Sequence, residues 1–150
     1  MARVLAGWLL LLLSVAASAQ EKTDKKVAEL KWAKTLVTDF LSAGTKREYD
    51  QATVLLSEAL KKALEKSSEP GRTFVSNRFS VYLKGAKDWS ITSEDIAPDQ
   101  DEAVFRGVSS LGQEEAPFTV RVVKEKDSGK WRVNLFKVGE WKKKDGARKR

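Results

Sequence analysis

The stretch APFTVRVVKEKDSGKWRVNLFKV, residues 116–138, decides the fold. Its alternating β-branched and aromatic positions read as two strands, and Asp127-Ser128-Gly129 between them as a tight three-residue turn. With Lys126 opposite Lys130, Phe118 faces Val138, Val120 faces Phe136 and Val123 faces Val133. This register puts Phe118, Val120, Phe136 and Val138 on one face and Val123, Trp131, Val133 and Leu135 on the other. A one-residue slip would scatter both sets, so the pairing is well specified. A sheet apolar on both faces needs cover on both: helices or a ligand pocket on one side, a partner on the other.

Upstream, residues 88–96 (DWSITSEDI) and 103–111 (AVFRGVSSL) read as two more strands, turned at residues 97–101 and joined to the hairpin through 112–115. Gly107 inside its strand predicts a bulge or bend. Earlier still the periodicity is helical. Val27, Leu30, Ala33, Val37, Phe40 and Leu41 recur at three and four over residues 23–41, with Trp32 and Leu36 widening the stripe. Thr23 or Asp24 is expected to cap this helix and Gly44 to stop it. Thr45-Lys46-Arg47-Glu48 has the form of a capping box for a second helix, which Ser57 divides or leaves continuous. Residues 67–71 (SSEPG) end it. Residues 72–85 fit either a strand or, by preference, a short helix capped by Ser76 and closed by Gly85. The sum is an α+β layout: N-terminal helices, then a four-stranded antiparallel meander.

Residues 1–19 read as a signal peptide. Arg3 precedes the apolar run 4–15, too short for a comfortable membrane span, and Ala17-Ser18-Ala19 offers the small residues of a cleavage site before Gln20. Export to the periplasm or outside the cell is the expectation. The domain then occupies residues 20–140, and residues 141–150 form a basic tail expected to be disordered. The formal net charge is +7. The tail holds six basic residues against Asp145, so the body is near neutral. The chain has no Cys and no His, which excludes disulfides, thiol nucleophiles and thiolate metal sites and removes the commonest general base.

The order of elements, together with Tyr49-Asp50-Gln51-Ala52 and Leu55-Leu56-Ser57 in the second helix, Pro117-Phe118-Thr119-Val120 entering a strand and Gly129-Lys130-Trp131-Arg132-Val133 after the last turn, resembles the nuclear transport factor 2-like superfamily over roughly residues 24–138. A cystatin-like layout is the alternative. The resemblance implies a cone whose curved sheet curls over the long helix and leaves a cavity at the wide end. Members use that cavity as an enzyme site, a ligand pocket or plain core, and many dimerise sheet to sheet, so fold alone does not choose.

The isomerase and cyclase branches of that superfamily use a pocket carboxylate and a phenol or acid as oxyanion donor. Asp39, Tyr49, Asp50 and Tyr82 are the available parts here. Each reads better as a solvated, capping or packing residue, and no catalytic motif is carried over. The acidic cluster Glu94, Asp95, Asp99, Asp101 and Glu102 lacks the glycine and second ligand set of a calcium loop and reads as a solvated hairpin tip. The expectation is therefore a non-enzymatic binding or interaction module of the cell envelope, with no cofactor and no metal; the alternatives are an isomerase- or cyclase-type enzyme acting in the same cavity and a purely structural assembly domain. Trp32, Phe40, Tyr82 and Trp131 are the expected walls of a cavity for a small apolar ligand or a peptide. A homodimer through the sheet and an anionic surface held by the tail are the other expected partners, and nucleic acid fits poorly with export and a neutral body.

Overall fold

A computed structural model describes residues 5–145 of the chain, with side chains from residue 16 onward. The element order is α1 (Leu5–Thr45), α2 (Tyr49–Val54), α3 (Glu58–Lys66), α4 (Gly71–Ser76), a π-helical segment (Asn77–Tyr82), β1 (Asp88–Ile96), β2 (Glu102–Leu111), β3 (Glu114–Lys124), β4 (Trp131–Val138) and β5 (Lys142–Lys143). The strands form an antiparallel meander in the order β1-β2-β3-β4, and the helices pack against it, giving an α+β fold. The helical reading of residues 72–85 agrees with this, although the helix starts at Gly71 and Ser76 lies within it.

Helix α1 starts well before residue 23. Thr23 does not cap it: its hydroxyl bonds back to the Ala19 carbonyl, four residues earlier, and Asp24 accepts from the Gln20 amide. The physical reason is that residues 16–22 are helix formers with no breaker among them. Residues 16–28 are all exposed, and the first buried side chain is Ala33. From there Leu36, Val37, Phe40, Leu41 and Ala43 give the helix its core face.

The end of α1 also differs from expectation. Gly44 stays helical and buried because a Cβ there would fall inside the Phe79 ring. The chain turns three residues later, at Arg47, whose φ is +66°. The Glu48 amide bonds to the Ala43 carbonyl and the Arg47 amide to that of Gly44, which is a Schellman closure with arginine in the usual glycine place. The capping box therefore does not form. Thr45 donates to the Ser42 carbonyl, and Glu48 makes no side-chain cap for α2. Ser57 does divide the helices, accepting from the Leu60 amide at the start of α3.

Phe136 of β4 is the centre of the core. Its ring lies 5.2 Å from Phe40, 5.2 Å from Phe79 and 6.4 Å from Phe118, so helix and sheet are joined by edge-on and tilted aromatic contacts. Gly107 is buried opposite Ile91 because a Cβ there would strike the Phe118 ring and the Ser90 carbonyl. The bulge that Gly107 signalled lies across from it in β1: Ile91 pairs with Gly107 and Ser93 with Arg106, leaving Thr92 extra.

The deciding hairpin obeys the expected register over its far half, with Phe118 opposite Val138 and Val120 opposite Phe136. Nearer the turn it does not. Arg121 pairs with Leu135 but Val122 with Val133, so Asn134 is an extra residue in β4. Beyond it every partner shifts by one, and the loop lengthens to Lys126–Gly129, closed by the Glu125 amide to the Lys130 carbonyl at 2.9 Å and by Gly129 at φ +65°. The consequence corrects the expected two-faced apolar sheet. Trp131 and Val133 turn onto the same buried face as Phe136, leaving Val123 and Leu135 half-buried outside among Arg106, Arg121 and Lys137.

The cause of the bulge is the connection between α2 and α3. Residues 55–57 run beside β4, with the Val133 amide on the Leu55 carbonyl and the Ser57 amide on the Val133 carbonyl, both 2.8 Å. The buried Ser57 hydroxyl donates to Asn134 Oδ1 at 2.7 Å. After β4 the Gly139 amide still bonds to the Pro117 carbonyl, and the chain then resumes along β3: Lys142 and Lys143 pair with Glu115 and Glu114, and the Lys144 amide reaches the Gln113 carbonyl. The first residues of the expected disordered tail are thus held to the sheet, and residues 146–150 lie outside the described ones.

Candidate functional site

One face of α1 and the turn end of the β3–β4 hairpin enclose a groove of about 420 Å³. Helix spacing puts Glu29, Trp32, Leu36 and Asp39 on that face, three and four residues apart. The hairpin supplies Lys124, Lys130, Trp131 and Arg132. Trp32 stands 68% exposed, an indole that folding leaves in water, whereas Trp131 is 6% exposed and forms the inner wall. Two indoles at different depths give a groove with an apolar wall and a polar rim.

The groove is braced by an ion pair. Lys124 Nζ lies 2.7 Å from Glu29 Oε1, and the Trp131 indole N–H donates to Glu29 Oε2 at 3.1 Å. The hydrogen bond from Lys124 is the main reason the Glu29 carboxyl titrates below the usual carboxylate range; burial opposes it and the indole N–H adds to it. Both oxygens of Glu29 are therefore engaged, and its charge is matched. Arg132 donates to the Trp131 carbonyl at 3.2 Å and lies 4.0 Å from Glu125. Asp39 and Lys130 are exposed on the rim.

The four expected wall residues separate. Trp32 and Trp131 meet in the groove. Phe40 does not reach it: with Phe79 and Phe136 it fills the space between helix and sheet, and it is fully buried. Tyr82 sits elsewhere, half exposed, stacked on Arg78 while its carbonyl accepts from the Trp141 indole at 2.7 Å. The sequence reasoning passed over Glu29 and Lys124, separated by 95 residues, and no local signal could have paired them.

The acid–base parts are scattered as well. Asp39 is on the groove rim, Asp50 is paired with Arg72 at 2.9 Å, and Tyr49 shares a 2.7 Å hydrogen bond with Ser80. The acidic cluster also divides. Glu94 reaches Lys34 at 2.7 Å, Glu102 lies 3.9 Å from Arg121, and Asp99 accepts from the Asp101 amide inside the turn. Among the described residues no group of three acidic side chains is placed to hold a metal ion. Among them also, no helix is long and apolar enough to cross a membrane.

No protein-family model matches the chain, and no curated protein matches it by sequence.

Proposed function

We propose that this chain is an exported, non-enzymatic binding module of the cell envelope, a member of the nuclear transport factor 2-like superfamily, whose ligand is a peptide segment held in the groove between α1 and the β3–β4 hairpin. The observation that carries the reading is the solvent-facing Trp32 above the buried Trp131, with Asp39 on one wall and Lys130 and Arg132 on the other. An aliphatic or aromatic side chain stacks on the Trp32 indole, and the peptide's polar groups meet charges of both signs at the rim. A wholly apolar ligand would leave those charges unsolvated, so the peptide fits better. Export is supported by the exposed run 16–28, which spans the expected cleavage site, so a cut there does not pass through the described core.

Native mass spectrometry of the chain purified from its own host tests this. The expected result is a copurifying peptide mass that denaturation releases and that Trp32→Ala lacks. Bare chain in both preparations, or a mass that Trp32→Ala retains, would overturn the reading.

A second reading, assembly through the outward sheet face, is favoured by the half-buried Val104, Val108, Val123 and Leu135 there. In a face-to-face pair with its axis near Thr119, Arg106 and Lys137, which flank Thr119 across the strands, would meet their own copies and repel them. The same spectra report this dimer directly.

A further inference from the structure

At the opposite end of α1 from its exposed N-terminal part, a hollow of about 540 Å³ is lined by Thr45, Lys46, Arg47 and Lys87. We propose that it is a binding site for a phosphate-type oxyanion, held by the three cations. It is separate from the groove and does not depend on its reading.

Three observations carry the assignment. First, among the described residues the hollow is lined by three cations and no carboxylate; Glu48 and Asp88, their chain neighbours, are exposed and do not line it. Several cations of the body reach acids, as Lys34 does Glu94, Lys61 Glu58, Arg72 Asp50, Lys84 Glu114 and Lys124 Glu29, whereas these three form no such pair among the described residues and converge on one hollow. Second, the cations are not needed to close the helix. The Ser42, Ala43 and Gly44 carbonyls already accept from the Lys46, Glu48 and Arg47 amides, and Ser42 also takes the Thr45 hydroxyl. A positive charge at a helix C-terminus can bond such carbonyls or complement the helix dipole; here the backbone bonds the carbonyls, and the side chains of Lys46 and Arg47 keep only the dipole role. Third, Arg47 occupies a left-handed position, φ +66°, where glycine is the unstrained choice. The turn needs no side chain there, yet arginine is present and lines the hollow.

The chemistry that fits is a multiply charged tetrahedral oxyanion. A guanidinium presents a planar fork of donors to two oxygens, and two flexible ammonium groups supply charge from the sides. Thr45 forms wall rather than donor, since its hydroxyl proton is committed to Ser42. The phosphate could belong to a soluble compound or to a lipid headgroup, and the test separates the two.

The full chain is titrated with inorganic pyrophosphate in low-salt buffer while backbone amide resonances are followed, and in parallel is sedimented with vesicles containing phosphatidic acid. Arg47→Gly is the decisive variant, because glycine relieves the backbone strain and the fold is retained or stabilised. Lys87→Gln removes a second cation, and Lys62→Gln, an exposed lysine of α3, is the control. We expect saturable shifts at residues 45–47 and 87, with affinity about five-fold weaker in Arg47→Gly and in Lys87→Gln and unchanged in Lys62→Gln. Vesicle binding that Arg47→Gly weakens to the same degree identifies a headgroup, and pyrophosphate binding without it identifies a soluble phosphate. Shifts that never saturate, or that all three variants weaken equally, would overturn the site, as would no response to either probe.

Discussion

The two halves of the β3–β4 hairpin have similar strand-forming sequences and opposite fates. In the far half, Phe118, Val120, Phe136 and Val138 pair as simple alternation requires. In the half next to the turn, Asn134 is an extra residue, and each side chain beyond it changes faces. The far half of β4 pairs with β3 alone, whereas the near half is also bonded on its other edge by residues 55–57. A bulge is the price of serving both neighbours, and it brings Trp131 inward to become the wall of the groove.

The largest effect should come from truncation on the buried face. By urea denaturation Trp131→Ala should cost about 3–5 kcal/mol, while Leu135→Ala, on the outward face, should cost about 1 kcal/mol. Equal losses for the two would contradict the assignment of faces.

Ser57→Ala removes both the α3 cap and the donor to Asn134, which should cost about 1–2 kcal/mol. A cycle with Asn134→Ala should show the two effects to be coupled, since either change breaks the same bond. Smaller again is the Glu29 term. Its carboxyl is depressed in the folded chain, so its contribution is present above the unfolded value and fades as pH falls below about 4.3 through the folded value. Glu29→Gln should flatten that part of the acid limb and lower neutral-pH stability by about 1 kcal/mol. An unchanged acid limb would mean that the Lys124 bond does not persist in solution. Smallest for stability is Trp32→Ala, under about 0.5 kcal/mol by thermal melting, despite its expected loss of ligand. A large loss of stability would mean that Trp32 is core and not a binding surface.

Most element positions were legible in residues alone. Strand β1 matches its predicted span, β2 begins one residue early, and the Ser57 break between helices appears where its cap chemistry allowed it. The misses share a cause. Gly44 looked like a stop because glycine favours left-handed turns, but it serves the close approach of Phe79, a residue 35 positions away. Thr45 and Glu48 had capping-box spacing, but the Schellman turn placed Thr45 inside α1 and left Glu48 without a side-chain cap. Of the candidate site, Trp32 and Trp131 were legible as aromatic residues on the first helix and the last long strand. Phe40 could not be told from them, because composition does not say which aromatic faces the sheet.

The sequence by itself determined the periodicities, and with them the helices and the meander. Those are local matters, set by steric preference and the spacing of apolar residues. Only the tertiary structure decided which face Trp131 takes, that Glu29 meets Lys124, and that Lys46, Arg47 and Lys87 share a hollow. Each of these depends on segments distant in the chain, and on backbone hydrogen bonds formed by β4 with a partner that its own alternation does not anticipate.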